Sequence, residues 1–353
     1  MAMPHGQINF YLSGTEMPKQ PSKIIDIHTH FEGAIDLNAL AEILYNKFRK
    51  GLVKSEELEQ KFQNKFQHHL AKDLIAIYLK SPASQQSTCL NKIASHLKKR
   101  TVLNKPAKDL RDFISHIPTA FIRWTCTSTT ELEYLITQTL AQFPPTHSYL
   151  EMQFSPFALK TENLTLEKVI EAFYKVSEDH KYKNFVKFAI CLRREKGDLN
   201  SQNLAKLTQI LRHSGISQKS IKIDIAGEES NYPLSNFTGE IRKLIDSGYE
   251  LSFHIGETTD RDLGFALETF PEVKHYNHGI KILDHPELIK TARERNIHFA
   301  TSPLSNYYSG AATKTEAKSL PVRFAKAGLI YSINSDDPVL LDRDLLASYS
   351  FAN

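Results

Sequence analysis

Two histidines lie two residues apart near the start of the chain, where a short apolar run ends. His28 and His30 follow Ile24, Ile25 and Ile27, a pattern that predicts a buried strand ending in polar side chains. Because side chains alternate along a strand, both imidazoles should lie on one face. Two imidazoles on one face can bind a single metal ion. Taken alone, such a pair is more often two unrelated histidines than a metal site.

Further reactive residue types follow later apolar runs. They are Glu228 and Glu229, His254 and Glu257, His278, and Asp336 and Asp337. Each has a structural alternative: His278 could be a hydrogen-bonded core histidine, and Asp336-Asp337-Pro338 could be a turn. Their repeated position at the ends of such runs favours one shared site. Gly33, just after the histidine pair, is expected to allow a sharp turn of the chain.

Eight apolar runs, which we interpret as strands, would position these residues. The runs are 24–27, 149–154, 185–192, 221–226, 249–254, 273–277, 297–301 and 329–334. Most intervals between them carry amphipathic helix patterns, such as 166–176 and 204–211. Eight strands alternating with helices predict an α/β fold of the (β/α)8 TIM-barrel type.

In such a barrel, the carboxyl ends of the strands surround one pocket. Four residues placed there would supply three nitrogens and one carboxylate oxygen, a combination that suits zinc in a hydrolytic site. These residues, called the ligand set below, are His28, His30, His254 and Asp336.

A long helical region separates the first two predicted strands. Apolar residues recur at helical spacing at positions 37, 40, 44 and 48, at 66, 70, 74 and 77, and at 110, 113, 114, 117 and 121. Ser128 and Glu131 match the capping box that begins another helix. We therefore predict a large helical insertion at about residues 36–145, on the face of the barrel that holds the active site.

The composition is that of an ordinary globular protein, with 353 residues, 41% hydrophobic and 24% charged. The net charge of +4 and two small basic clusters, 98–100 and 193–194, do not indicate nucleic-acid binding, and no apolar run predicts a membrane span. Three separated cysteines indicate reduced thiols in the cytoplasm. Residues 1–22 lack the core of a secretory signal, so we expect a flexible leader before a single barrel of residues 23–353.

Seven short segments together resemble the adenosine deaminase family of metal-dependent amidohydrolase barrels. They are His28-Thr29-His30-Phe31-Glu32-Gly33, Glu151-Met152-Gln153-Phe154-Ser155-Pro156, Asp224-Ile225-Ala226-Gly227-Glu228-Glu229, His254-Ile255-Gly256-Glu257, Asn277-His278-Gly279, Ser302-Pro303-Leu304-Ser305-Asn306 and Ser335-Asp336-Asp337-Pro338. The segments keep the family's order from residue 24 to about residue 340. The resemblance implies a single-metal deaminase barrel.

Carried over residue by residue, the resemblance implies that the ligand set binds one Zn²⁺ per chain. Glu257 would protonate the purine ring nitrogen beside the attacked carbon, and His278 would orient and deprotonate the attacking water. Asp337 would bind another ring nitrogen. Further substrate contacts would come from His30, Glu32, the backbone of Gly227, and an apolar lid that includes Leu110, Phe113 and Ile117.

The implied reaction is hydrolytic deamination of a 6-aminopurine, with adenosine or deoxyadenosine converted to inosine or deoxyinosine and ammonia. Zinc supplies an activated water at neutral pH, and a buried carboxyl group can deliver the proton that the ring requires. The alternatives are deamination of adenine or another 6-aminopurine, hydrolysis of an amide or ester, and an inactive barrel that acts as a binding protein. The expected partner is a small molecule, neither nucleic acid nor membrane, and the oligomeric state is open.

Three features depart from the family pattern. Glu32 stands where adenosine-specific members usually have Asp, and glutamate there is familiar from branches that act on adenine and from some bacterial adenosine-type members. Gln153 occupies a position that is often Arg. Only 16 residues follow Asp337, so the C-terminus is expected to be shortened.

Overall fold

Eight parallel strands form a single sheet whose order follows the sequence. The computed structural model describes residues 24–52, 65–81, 85–216 and 221–352, so the predicted leader, residues 1–22, lies outside the described residues. The strands are β1 (Ile24–His30), β2 (His147–Phe154), β3 (Val186–Arg193), β4 (Lys222–Ala226), β5 (Glu250–Ile255), β6 (His275–His278), β7 (His298–Thr301) and β8 (Ile330–Ile333). The predicted barrel is confirmed, and each strand lies within a few residues of its predicted position.

The backbone of Asp336 closes the barrel between β8 and β1. Its N–H donates to the carbonyl of His28 (2.8 Å), and its carbonyl accepts from the N–H of His30 (2.8 Å). These bonds form a parallel bridge between Thr29 and Asp336. The closure therefore fixes three members of the ligand set relative to one another through main-chain hydrogen bonds.

Polar side chains fill much of the barrel interior. Lys222 of β4 forms a buried ion pair with Glu151 of β2, and the Lys187 Nζ of β3 lies 2.8 Å from Glu250 Oε2 of β5. These strands are not neighbours, so the contacts cross the interior. The strand residues that alternate with these inward-facing ones, such as Phe154, which stacks on Phe173, pack outward against the helices. The interior is thus more polar than the branched apolar filling usual in these barrels.

The helices surround the sheet and the face that bears the site. They are α1 (Phe31–Ala34), α2 (Leu37–Arg49), α3 (Lys65–Leu79), α4 (Gln86–Thr101), α5 (Leu110–Ser115), α6 (Thr119–Thr125), α7 (Thr129–Ala141), α8 (Pro156–Leu159), α9 (Leu166–Ser177), α10 (Ser201–His213), α11 (Thr238–Asp246), α12 (Leu263–Thr269), α13 (Pro286–Glu294), α14 (Pro303–Tyr308), α15 (Lys314–Lys326), α16 (Pro338–Leu341) and α17 (Leu345–Ala352). Within the described ranges, no helix is both long and apolar enough to cross a bilayer.

The helical region between β1 and β2 matches the sequence pattern with one correction. The capping box of Ser128 and Glu131 is present at the start of α7. The apolar pattern from residue 110 to residue 121, however, belongs to two helices, because α5 ends at Ser115 and α6 begins at Thr119, directly after Pro118. Proline lacks a backbone N–H, so it favours the start of a helix over its interior.

The turn predicted at Gly33 is also wrong. The chain passes from β1 directly into α1, and Gly33 lies inside this short helix. A Cβ on Gly33 would lie 1.7 Å from Asp337 Oδ1. Glycine is thus needed at this position for the close approach of Asp337, and not for a turn.

Candidate metal and catalytic site

Three imidazole nitrogens converge at the carboxyl ends of β1 and β5. The Nε2 atoms of His28 and His30 are 3.3 Å apart, and each lies 3.0 Å from His254 Nε2. Asp336 Oδ1 lies 3.5 Å from the Nε2 atoms of both His28 and His30. The structure therefore brings the whole ligand set together, although His254 is more than 220 positions from His30 in the chain.

These separations fit a common cation. Ligand atoms placed tetrahedrally at the usual Zn–N and Zn–O distances of about 2.0–2.1 Å are about 3.3–3.4 Å apart. The five observed distances, between 3.0 and 3.5 Å, lie around this value. A single proton can bridge only two of three converging nitrogens, whereas a divalent cation satisfies all three. The three histidines thus have the chemistry and the spacing to bind a metal ion, and Asp336 lies next to two of them.

Neighbouring groups hold the imidazoles in ligating orientation. His254 Nδ1 lies 2.8 Å from Asp224 Oδ2, an arrangement that directs Nε2 toward the cluster. Asp224 is held in turn by the Ser252 hydroxyl (2.7 Å) and by Asn277 Nδ2 (2.8 Å), which donate to its Oδ1. Burial disfavours both charged forms, but the mutual attraction of this pair raises the pKa of His254 and lowers the pKa of Asp224.

Electrostatics keep the two β1 histidines neutral. Burial, followed by repulsion from His254, lowers the pKa of His30 to about 4 and that of His28 well below its usual range. A neutral imidazole offers the lone pair that a metal requires. The site is therefore ready to bind a cation at neutral pH without first losing protons from these two residues.

Two further predicted residues lie beside the cluster. His278 Nε2 is 3.6 Å from Glu257 Oε2 and 3.9 Å from Asp336 Oδ2. His278 and Asp336 both have a left-handed backbone, with φ of 64° and 63°, a conformation that costs energy in residues other than glycine and is concentrated at functional sites. The structure thus holds a strained backbone at two residues of the cluster.

Asp337 is a buried carboxyl group next to several others. Its Oδ1 has no hydrogen-bond partner among the described residues. Burial, reinforced by Asp336, Glu32 and Glu257, raises its pKa well above the usual range. A protonated carboxyl group can donate a hydrogen bond, so Asp337 is suited to contact a ring nitrogen of a ligand.

Glu32 and Gly227 lie at the ends of β1 and β4. Glu32 is buried, and its Oε1 accepts from the backbone N–H of Ser155 (2.8 Å). Burial raises its pKa. Gly227 has a φ of 99°, a backbone conformation that residues with a side chain rarely adopt, so the loop after β4 requires glycine at this position.

The predicted lid residues form a small apolar cluster. Phe113 is buried with Leu304 and Leu340, and Leu110 and Ile117 pack against the same group. Leu304 lies in α14 and Leu340 in α16, the helices that follow β7 and β8. The three lid residues therefore contact the elements that carry parts of the site. Their contact with a substrate remains a prediction.

Four residues with close contacts to the site were given no role in the sequence prediction. They are Asp224, Glu229, Asn306 and Ser309. Glu229 is buried, and it accepts hydrogen bonds from three consecutive backbone N–H groups, including that of Glu257 (3.1 Å). Burial raises its pKa to about 7. The two-residue alternation of β4 could have placed Asp224 in the interior, but no local pattern indicates the partners of the other three.

Comparison with known sequences identifies relatives of one kind. A family model described as "Adenosine deaminase" matches residues 90–353. An uncharacterised deaminase of Schizosaccharomyces pombe is 31% identical over 205 residues, which are 55% of this chain and 56% of that protein. An adenosine deaminase of Shewanella denitrificans is 24% identical over 203 residues, 57% of this chain and 60% of that protein. The matches thus span well under two thirds of the length of either relative.

Solved structures show the same fold at lower sequence identity. An adenine deaminase from Arthrobacter aurescens superposes with a TM-score of 0.66 at 16% identity, covering 93% of this chain and 86% of that chain. An amidohydrolase from Burkholderia ambifaria with bound Zn gives a TM-score of 0.60 at 16% identity, with 96% and 83% covered. An Arabidopsis protein complexed with IMP gives 0.60 at 16%, with 96% and 86% covered.

Proposed function

Because the chain belongs to the adenosine deaminase family, we propose that it catalyses zinc-dependent hydrolytic deamination of a 6-aminopurine. Adenosine and deoxyadenosine are the first candidate substrates. The observation that carries this proposal is the convergence of three imidazole nitrogens within 3.0–3.3 Å, next to one carboxylate and to the pair formed by His278 and Glu257. In this proposal, residues 23–353 act as one barrel with the helices between β1 and β2 as its lid. A cytoplasmic location, indicated by three free and buried cysteines, belongs to the same proposal.

The ligand set would hold one Zn²⁺, which when bound supplies activation of water at neutral pH. His278 would accept a proton from the attacking water, and its side chain lies close enough to Asp336 and Glu257 to reach the same small volume. Glu257 would deliver a proton to the ring nitrogen beside the attacked carbon. Water adds to that carbon, which forms a C–O bond. The C–N bond to the amino group then breaks, and the amino group leaves as ammonia.

Asp337 would orient the purine in this scheme. Its Oδ1 has no hydrogen-bond partner in the part of the chain that the structure describes, and its pKa is raised; both favour a neutral carboxyl group that donates to a ring nitrogen. Burial of the site removes competing water and strengthens each of these hydrogen bonds.

Free adenine is a second candidate substrate, and Glu32 favours it. One oxygen of this buried carboxyl group is already occupied by the Ser155 N–H, which reduces its capacity to accept from two sugar hydroxyls. The adenine deaminase of Arthrobacter aurescens shows that an enzyme with that activity shares the fold.

A parallel substrate assay tests the proposal. Loss of absorbance at the adenine maximum would be followed with adenosine, deoxyadenosine, adenine and AMP, each with and without prior chelation. We expect turnover of at least one substrate and its loss after chelation. Turnover that survives prolonged chelation would contradict the role of zinc. A chain that turns over none of the four but binds one of them would support the binding-protein alternative.

Substitution of the proposed acid separates chemistry from folding. Glu257→Gln keeps the size of the side chain but has no transferable proton, so turnover should be abolished while the bound zinc, measured by atomic emission, stays at the wild-type level. Glu268→Gln changes an exposed carboxylate on α12 and should leave turnover unchanged. Normal turnover in Glu257→Gln would remove this residue from the mechanism.

A further inference from the structure

One short segment after β7 contacts three residues of the site at once. The Ser302 hydroxyl lies 3.4 Å from His28 Nδ1, and Asn306 Nδ2 of α14 lies 3.0 Å from His278 Nδ1. Ser309, directly after α14, donates its hydroxyl to Glu257 Oε1 (2.9 Å). The three side chains of this segment are all buried. A single element therefore connects one metal-ligand candidate with both members of the proposed proton-transfer pair.

Ser309 distinguishes the two oxygens of Glu257. A hydroxyl that donates to Oε1 occupies that oxygen as an acceptor, so Oε2 is the oxygen left to carry a transferable proton. Oε2 is also the oxygen that faces His278, at 3.6 Å from its Nε2. The final torsion of a glutamate is broad and roughly twofold, so without this donor either oxygen could take either position. The backbone of Ser309 is held in place, because its N–H donates to the carbonyl of Ser305 (2.7 Å).

Asn306 contacts the imidazole of His278, as Ser309 contacts the carboxyl group of Glu257. Its amide contacts His278 Nδ1, while its Oδ1 is buried without a partner among the described residues. Rotation of the amide by 180° would place Oδ1 at Nδ1, where it would accept a proton from the ring. The Nε2 of His278 would then be free to accept a proton from water, as a general base must. The orientation of this one amide therefore decides whether His278 Nε2 is a donor or an acceptor.

We infer that Ser309 and Asn306 are positioning residues for proton transfer, with Ser309 setting which oxygen of Glu257 is protonated and Asn306 setting the tautomer of His278. This inference rests on the proposed function. Neither residue reaches a reacting atom itself. Both lie in one short segment, α14 and the residue that follows it, so this segment holds acid and base in a fixed mutual orientation.

Variants of Ser309 test the first half of the inference. Ser309→Ala removes only the hydroxyl, and misorientation of a catalytic group should lower kcat by about 10- to 100-fold, with KM and zinc content little changed. Ser309→Thr retains a hydroxyl and should restore most of kcat. Ser305→Ala is a matched control, since Ser305 lies in α14 one turn before Ser309 and its buried hydroxyl has no partner among the described residues.

Two variants test the second half. Asn306→Asp keeps an acceptor opposite His278 Nδ1, whereas Asn306→Leu removes it, so kcat should be clearly higher for Asn306→Asp. Thermal melting identifies any variant that fails to fold, and only folded variants are compared.

The outcomes separate this inference from the proposed function. If the wild-type chain shows no deaminase activity, the proposed function fails and the positioning roles fail with it. If the wild-type chain is active, the role of Ser309 is overturned by a Ser309→Ala variant with normal kcat, or by an equal loss in Ser305→Ala. The role of Asn306 is overturned if the leucine variant matches the aspartate variant. A loss confined to KM would assign Ser309 to binding and would also overturn the inference.

Discussion

Replacing Gly33 by alanine should inactivate the protein while leaving its fold intact. The added Cβ would lie 1.7 Å from Asp337 Oδ1, 2.5 Å from Cγ and 2.7 Å from Cβ. Unbonded heavy atoms are most stable at about 3.5–4.0 Å, so the carboxyl group must move by more than about 1.5 Å. Rotation of the Asp337 side chain cannot relieve the clash at its own Cβ, and the backbone must shift as well.

The size of the effect follows from this displacement. Misplacement of a substrate-orienting group by about 1 Å can cost on the order of 100-fold in rate, so kcat/KM should fall at least this far. Overpacking of a buried position costs about 1–3 kcal/mol in the free energy of unfolding. Zinc content should fall below that of the wild type as well, because Asp336 of the ligand set directly precedes Asp337 and shares its backbone shift.

The assay is the rate of absorbance loss with the best substrate, alongside zinc content and thermal melting. Gly239→Ala is the matched control: Gly239 lies in α11, and a Cβ there would meet no atom within 4 Å. This variant should retain full activity and gain slightly in stability, since alanine favours helix over glycine. A folded Gly33→Ala variant with wild-type kcat/KM would refute the reasoning about Asp337.

The remaining predictions concern metal affinity, stability and pH. Asp224→Asn removes the charge that faces His254 Nδ1 and should weaken zinc binding by about 10- to 100-fold, measured by competition with a chelator of known affinity. Lys222→Met leaves Glu151 buried without its partner and should lower the free energy of unfolding, measured in urea, by about 3–5 kcal/mol. The double variant Lys222→Met/Glu151→Gln should regain part of the lost stability, because the unpaired buried carboxyl group is then removed. Burial, then repulsion from Lys222, lowers the pKa of His298 to about 3. The folded protein therefore keeps this imidazole neutral at pH values where the unfolded chain protonates it. The free energy of unfolding should consequently be unaffected by His298 above about pH 6.5 and should decrease as the pH falls toward 3. His298→Gln should reduce this acid sensitivity, and an unchanged slope of stability against pH would exclude His298 as its source.

Most of the strands, though not the largely polar β6, were predictable because they combine a short apolar run with a clear boundary. In β4, for example, Ile223 and Ile225 alternate with Lys222 and Asp224, and Gly227 follows. The two errors arose where local preference is ambiguous. Glycine both permits turns and admits close neighbours, and at Gly33 only the position of Asp337, about 300 residues later, decides between them. The apolar pattern that runs through Pro118 likewise fits one helix or two.

The sequence by itself determined the residue types of the site and the number and order of the elements that carry them. This is possible because strand and helix periodicity and turn residues are local properties of the chain. Tertiary structure alone decided the distances among the imidazoles, the closure of the barrel through the backbone of Asp336, and the contacts of Ser309, Asn306 and Glu229 with the acid and the base. These features depend on which side chains meet across the barrel after it closes, and residues far apart in the chain carry no local signal of their eventual neighbours.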